Sequence, residues 1–363
     1  MKTLLATLLA FLPLGCASVP KVTPASAPSH DVVAALEARA HRAGFDGVLL
    51  VDDGTGRHAI IPIGDDAVAP DAVWRWASIT KQLAAVIAMQ EVERGRLDLD
   101  APVSRYWPDW RAPNAARIRI RDLLAHNSGL PQPDASPPDS DGVPAFYRSA
   151  ARAPADSAAG FCAGPPRATP PADFDYNNCD AIVLGEVLAK ITGKPFDALL
   201  RERITEPLGM KSVGLFALGA PVPHVQPIGD AKDIDPLINL GVSGASAGAY
   251  GTIEDLWRFD RALLTGKLLS SASRETMWTA SRANGFMNFF QWTYPAPLAG
   301  CTGPVRIVER QGLVGGIENR NWLLPDTGRV LILLSRKRPT GLGDPWEGKG
   351  FAFDLLSTVA CSK

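Results

Sequence analysis

The chain has 363 residues, 46% of them hydrophobic and 21% charged, enough to bury a large core in one or two domains. A formal net charge of −1 and a pI near 6.5 leave no footprint for nucleic acid or for an anionic membrane surface. The 33 glycines and 31 prolines point to long ordered loops rather than a minimal fold.

Met1-Lys2 followed by the apolar run Leu4 to Leu12 is too short to span a bilayer and reads as a secretory signal. It ends in Leu12-Pro-Leu-Gly-Cys16, which resembles a bacterial lipoprotein processing box with Cys16 as the lipid-bearing residue. Pro13 stands where such boxes usually carry Leu. Residues 1–16 are therefore expected to be a signal peptide of lipoprotein type, 17–29 a Pro/Ala/Ser-rich tether, and 30–363 the folded domain. The chain is expected to be exported, to the periplasm or as an outer-membrane lipoprotein. The remaining cysteines, Cys162, Cys179, Cys301 and Cys361, allow three pairings in an oxidising compartment. Nearest-neighbour pairing, Cys162 with Cys179 and Cys301 with Cys361, is the expectation.

Val32, Val33, Leu36 and Ala40 predict a helix over His30 to Ala43. Gly47 to Asp52 and Arg57 to Ile63, joined by Asp53-Gly-Thr-Gly, predict a hairpin of two buried strands. Next comes Trp76-Ala-Ser-Ile-Thr-Lys81 and a run of good helix formers closed by Gly95. Ser78 and Lys81 are three apart and project from one face of the first turn. A serine needs a base to take its proton, and a lysine buried in an apolar helix can be held neutral enough to do so. Ser-x-x-Lys is thus a candidate nucleophile and base. The spacing alone is weak: Ser18-Val-Pro-Lys21 repeats it in the tether, where Pro20 will not hold a helix.

Leu97 to Trp110 reads as an irregular connection, and Ile118 to His126 as an element stopped by Asn127-Ser-Gly129. Leu130 to Pro171 is a long loop region with room for short helices. Asn178 to Thr192, ended by Gly193, and Phe196 to Ile204 read as helices. Residues from about 97 to 219 therefore look like a mostly helical insertion. Ser246 to Thr252 is a small-residue turn, with Thr252 the N-cap of a helix over Ile253 to Leu264. Arg306 to Glu309, Glu318 to Leu324 and Val330 to Ser335 read as strands, with Asp326-Thr-Gly328 turning between the last two, and Phe351 to Val359 as a final helix. Strands at both ends with helices between them point to an α/β sandwich plus a helical domain.

Several segments together resemble the serine hydrolase family of class C β-lactamases, penicillin-binding DD-peptidases and related esterases. They are Trp76 to Gln82, Gly95 to Pro108, Ile120-Arg-Asp-Leu-Leu-Ala-His-Asn-Ser-Gly-Leu-Pro131, Phe174 to Asn178, Glu206-Pro-Leu-Gly-Met210 and Ala247 to Asp255. They keep the family order. The resemblance implies an α/β fold of β-lactamase/transpeptidase-like type, an antiparallel sheet flanked by helices plus a mostly helical inserted domain, and an acyl-enzyme on Ser78. It implies that Tyr176-Asn-Asn178 is the family's Tyr-x-Asn motif. Tyr176 and Lys81 would form one coupled acid–base unit, and Asn178 would orient Lys81 and donate to an acyl side-chain carbonyl.

The third motif departs from the pattern. The family has Lys or His, a small or hydroxyl residue and Gly on the strand edging the cleft, and Leu313-Val314-Gly315 falls there. Leu313 cannot bind a substrate carboxylate, whereas Gly315 and Gly316 could let substrate approach closely. An oxyanion hole from the N–H groups of Ser78 and Gly316 would remain. A shift of a few residues would bring Arg310 or Arg320 to the cation's place instead.

The expected activity is therefore hydrolysis of an ester or uncharged amide. A β-lactamase or DD-carboxypeptidase acting on penicillins or peptidoglycan peptides, and a catalytically silent binding protein of the same fold, are the alternatives. No cofactor is expected. No His-Glu-x-x-His or Cys-x-x-Cys pattern supports a metal site. His126 reads as structural rather than as a triad base. Trp74, Trp76, Trp257, Trp292 and Trp322 are divided between core packing and an apolar acyl pocket.

Overall fold

The computed structural model describes residues 28–361, apart from 65, 67, 149–157, 219 and 230–237. The expected signal segment, Cys16 and tether residues 17–27 lie outside the described residues. Strands β1 (Gly47–Asp52), β2 (His58–Ile63), β3 (Trp74–Arg75), β4 (Gly214–Leu215), β5 (Ala249–Gly251), β6 (Met287–Asn288), β7 (Gln291–Ala296), β8 (Val305–Val314), β9 (Ile317–Leu324) and β10 (Arg329–Ser335) form two sheets. The larger runs β2-β1-β10-β9-β8-β7-β6 and the smaller β3-β5-β4. Every pairing is antiparallel.

Composition explains the layers. β1 reads Gly-Val-Leu-Leu-Val-Asp and is buried along its length, as a central strand covered on both faces must be. Val48 and Leu50 join one core with Leu83 and Val86, whereas Leu49 and Val51 join a second core that contains Leu36, Ala40, Leu355 and Leu356. The alternation follows from the two-residue period of a strand. The helices that supply these layers are α1 (His30–Arg42), α2 (Thr80–Glu93), α3 (Asn178–Thr192), α4 (Ile253–Leu264) and α5 (Phe351–Ala360). Ser29 caps α1 and Thr252 caps α4 by accepting from Asp255 N–H at 3.1 Å. The hairpin near the start of the domain docks on the last strand, Gly47 opposite Ser335.

Helix α2 is the axis of the first core: every residue from Thr80 to Glu91 is buried. Gly95, at φ 68°, takes the left-handed conformation that ends it. Between Leu97 and Gly209 the described residues contribute no strand to either sheet. There α3 has the bounds its apolar spacing implied, while the expected helix over Phe196 to Ile204 is α-helical only to Leu200 and widens into a π turn over Arg201–Thr205. Both expected disulfides are present, Cys162–Cys179 and Cys301–Cys361, with Cα separations of 5.5 and 5.4 Å.

Two differences from the sequence reading have physical causes. Ala249–Gly251, inside the small-residue turn, is strand β5, bonded between β3 and β4; its lack of bulky side chains gave no strand pattern. β7 was hidden by Pro295, which pairs with Arg306. A proline is tolerated there because β7 has a partner on its other side only at Trp292 and Gln291, so the missing N–H falls on an open edge.

Candidate active site

Ser78 sits in a short 3-10 turn, Ala77–Ile79, that leads into α2. Ala77 holds a left-handed φ of 49°, a conformation that a non-glycine residue adopts only when its surroundings enforce it. The surroundings here are specific. Thr80 Oγ1 donates to Ala77 O at 2.6 Å and accepts from Ala249 N–H at 2.9 Å, and Trp76 N–H donates to Ala249 O at 3.0 Å. The turn carrying Ser78 is thus laced to β5.

Lys81 is fully buried and spends its three N–H donors. Its Nζ donates to Ser78 Oγ at 3.1 Å, Asn178 Oδ1 at 2.7 Å and Ser246 O at 2.8 Å. Burial pulls its pKa down to about 8, and Arg310 adds to the fall while Tyr176 opposes it. Tyr176 Oη lies 2.8 Å from Ser78 Oγ, and Lys81 Nζ stands 4.9 Å from its ring centre. Burial opposes ionisation of the Tyr176 phenol, but Arg310 and Lys81 outweigh it and the net displacement is downward. Ser78, Lys81, Tyr176 and Asn178, picked from sequence, therefore meet at one point.

The strand side differs from the first reading. Gly315 and Gly316, at φ 52° and 81°, are the two-residue turn joining β8 to β9, the left-handed pair such hairpins need. The pair that closes a two-residue turn, Val314 with Ile317, is hydrogen-bonded, and alternation makes Gly312 and Arg310 bonded to β9 as well. The N–H groups of Leu313 and Gln311 then point to the other edge, which β7 leaves uncovered beyond Glu309. Gln311 and Leu313 line the same cleft as Ser78. This register leaves Leu313 N–H on the open edge, while Gly316, expected to be an oxyanion donor, lies in the turn.

The cation likewise falls three residues earlier. Arg310 is buried, and its guanidinium donates to Ser78 O at 2.8 Å, Phe290 O at 2.8 Å and Tyr176 Oη at 2.6 Å. It lies 5.1 Å from the ring centres of both Tyr176 and Trp292, a cation held between two π-faces. Gly312 follows as the motif's glycine: a Cβ there would stand 2.4 Å from Trp76 O, so only glycine lets the strand approach the nucleophile turn. Arg310-Gln311-Gly312 thus occupies the place expected of Leu313-Val314-Gly315. Arg320, the other arginine considered, is engaged by Glu309 and Glu318.

Ser78, Tyr176, Asn178 and Arg310 line a cleft of about 450 Å³ whose walls include Val143, Pro144, Ile238, Trp292, Leu313 and Val314. Leu313, 40% exposed, stands on this wall. Of the five tryptophans considered above, Trp292 lines the cleft, Trp74, Trp76 and Trp322 are core, and Trp257 packs on His58 and donates to Asp52 at 2.6 Å. His126 is buried at 4.7 Å from the Tyr176 ring and 2.8 Å from Asp180. It accepts from Asn177 N–H at 3.2 Å, which supports the motif segment from beneath. Among the described residues no group of His, Cys, Asp and Glu is arranged to hold a metal ion. Sequence reading passed over Gln132, Asp134 and Tyr147, which sit in the Pro- and Asp-rich stretch. Gln132 brackets the motif, donating to Tyr176 O at 2.8 Å and accepting from Asn178 N–H at 3.1 Å. No spacing rule marks them; only the folded loop brings them to the cleft.

An antiparallel sheet between helices, with a Ser-x-x-Lys turn facing a Tyr-x-Asn segment, is a β-lactamase/transpeptidase-like architecture. The chain belongs to the β-lactamase family, whose model matches residues 34–347. It is 27% identical over 309 residues to esterase EstB of Burkholderia gladioli, covering 80% of this chain and 67% of that one. It is 28% identical over 208 residues to the D-alanyl-D-alanine-carboxypeptidase/endopeptidase AmpH of Escherichia coli, covering 54% of this chain and 50% of AmpH. The chain spans about half the length of the first curated relatives it matches. The solved D-amino acid amidase of Ochrobactrum anthropi superposes with a TM-score of 0.72, at 22% identity, over 92% of this chain and all of the amidase.

Proposed function

We propose that this protein is a serine hydrolase that works through an acyl-enzyme on Ser78 and acts on an ester or uncharged amide. The observation that carries this reading is the convergence of Lys81 Nζ at 3.1 Å and Tyr176 Oη at 2.8 Å on Ser78 Oγ. In the first half-reaction the Ser78 proton passes to the Lys81/Tyr176 unit while Oγ bonds to the substrate carbonyl carbon. The N–H groups of Ser78 and Leu313 hold the oxyanion. The same unit then gives that proton to the departing alcohol or amine as the carbonyl re-forms, leaving acyl-Ser78. Water, losing a proton to the unit, attacks the ester, and Ser78 recovers its proton as the acid departs.

Substrate charge is argued from Arg310. Three of its nitrogens donate inward, to two backbone carbonyls and Tyr176. The guanidinium therefore tunes the phenol rather than waiting in the cleft for a carboxylate. That favours substrates without a carboxylate over penicillins and peptides ending in a free carboxylate. Export and lipid attachment at Cys16 belong to the same proposal, supported by the leader pattern and by two disulfides that suit an oxidising compartment; palmitate labelling lost in Cys16→Ala tests them.

The test of the reaction class is incubation with a fluorophosphonate probe and location of the adduct by peptide mass. Labelling at Ser78 that disappears in Lys81→Ala is expected. A folded protein that takes no label at Ser78 contradicts an acyl-enzyme.

A further inference from the structure

The acyl side of the cleft has an unusual balance of donors and acceptors. Asn178 has two amide hydrogens, and both are spent within the protein, on Tyr147 Oη at 2.9 Å and on Asp134 Oδ1 at 3.3 Å. The Tyr147 hydroxyl in turn donates to the same Asp134 oxygen. Burial and the Asp134 carboxylate hold the Tyr147 phenol well above its usual value, so it stays a donor. Asp134 Oδ1 is therefore satisfied, while among the described residues Oδ2 accepts no hydrogen bond. Asp134 is the one carboxylate among the residues lining the cleft, and the loop that bears it is pinned to the Tyr176–Asn178 segment by both ends of the Gln132 amide.

A substrate whose acyl group offers a carbonyl to this wall meets a carboxylate and a committed amide: acceptor against acceptor. A substrate that offers an ammonium meets a charge-assisted acceptor. The cleft lining is otherwise largely apolar, with Val143 and Pro144 and, from the β8–β9 hairpin, Leu313. Resting on the proposed acyl-enzyme reaction, we infer that the acyl group carries a protonated amine, held by Asp134, next to an apolar substituent. The substrate class is an ester or amide of an apolar amino acid with a free amino group, rather than an N-acylated one.

The experiment compares three methyl esters with the purified protein: phenylalanine methyl ester in each enantiomer, its N-acetyl derivative, and 3-phenylpropanoate methyl ester, which lacks the amine. The assay runs below the pKa of the substrate amine. We expect kcat/KM for one free-amine enantiomer to exceed both neutral esters by about tenfold or more, the scale of a charge-assisted hydrogen bond. In Asp134→Asn the ratio should collapse towards one, and Asp134→Glu should recover part of it. N-acetyl or deaminated ester turned over as fast as the free amine by the wild type overturns the inference, whatever the variants do. Ser78 labelling in the same preparation separates the two levels. Labelling without amine preference overturns this inference alone, and no labelling overturns the hydrolase reading and this inference with it.

Discussion

The two walls of the cleft are built by different means. On one, Ser78, Lys81, Tyr176, Asn178 and Arg310 are interlocked by hydrogen bonds of 2.6–3.1 Å, with every polar group committed to another. On the other, the tip of the β8–β9 hairpin presents Leu313 and a glycine turn to solvent. The first wall fixes chemistry by electrostatics in a dry setting; the second shapes what can enter. Changes on the first should cost rate, and changes on the second should move selectivity or stability.

The largest effect belongs to the nucleophile. Ser78→Ala should lower kcat/KM on a neutral ester by about 10⁴-fold, measured against heat-inactivated enzyme. Next comes Arg310→Gln. Removing a cation that lowers the pKa of both Lys81 and Tyr176 should raise both. Activity requires the coupled unit to have lost one proton, so it rises with pH through the unit's titration, and the variant's rising limb should move alkaline. A loss of about 10²-fold in kcat near neutrality should accompany the shift. A pH–rate profile that keeps its limb would show that Arg310 acts only as a brace.

Smaller effects test the other wall. Leu313→Lys sets a cation at the cleft mouth and should favour carboxylate-bearing substrates by about tenfold relative to neutral esters. Gly316→Ala places a side chain at φ 81° and should cost about 1 kcal/mol of stability by denaturant titration. Its kcat should stay within about threefold of the wild type. A large loss of kcat without unfolding would return Gly316 to the oxyanion hole.

The same contrast explains what could be read from sequence. Ser78 with Lys81 is legible because three-residue spacing on one turn brings them together within a segment that resembles the family, and Tyr176 with Asn178 because they match the Tyr-x-Asn motif of that resemblance. The first and last strands, α3 and α4 were legible from apolar period and caps. The strand motif was not, because register rather than residue type decides which residue brings a cation to the serine and which brings a backbone N–H. The two-residue Gly315–Gly316 turn, which the sequence reading did not place, carries the motif three residues earlier than expected. Asp134 and Tyr147 were invisible because their meeting with Asn178 is made by tertiary folding of a loop without periodicity.

The most direct test is to quench the enzyme during turnover of a short-chain ester and weigh the peptide that contains Ser78. The account predicts that peptide heavier by the mass of the acyl group, with the adduct accumulating when deacylation is slowed in Tyr176→Phe. Turnover that proceeds with no acyl mass on Ser78, or with the acyl group on another residue, would contradict it.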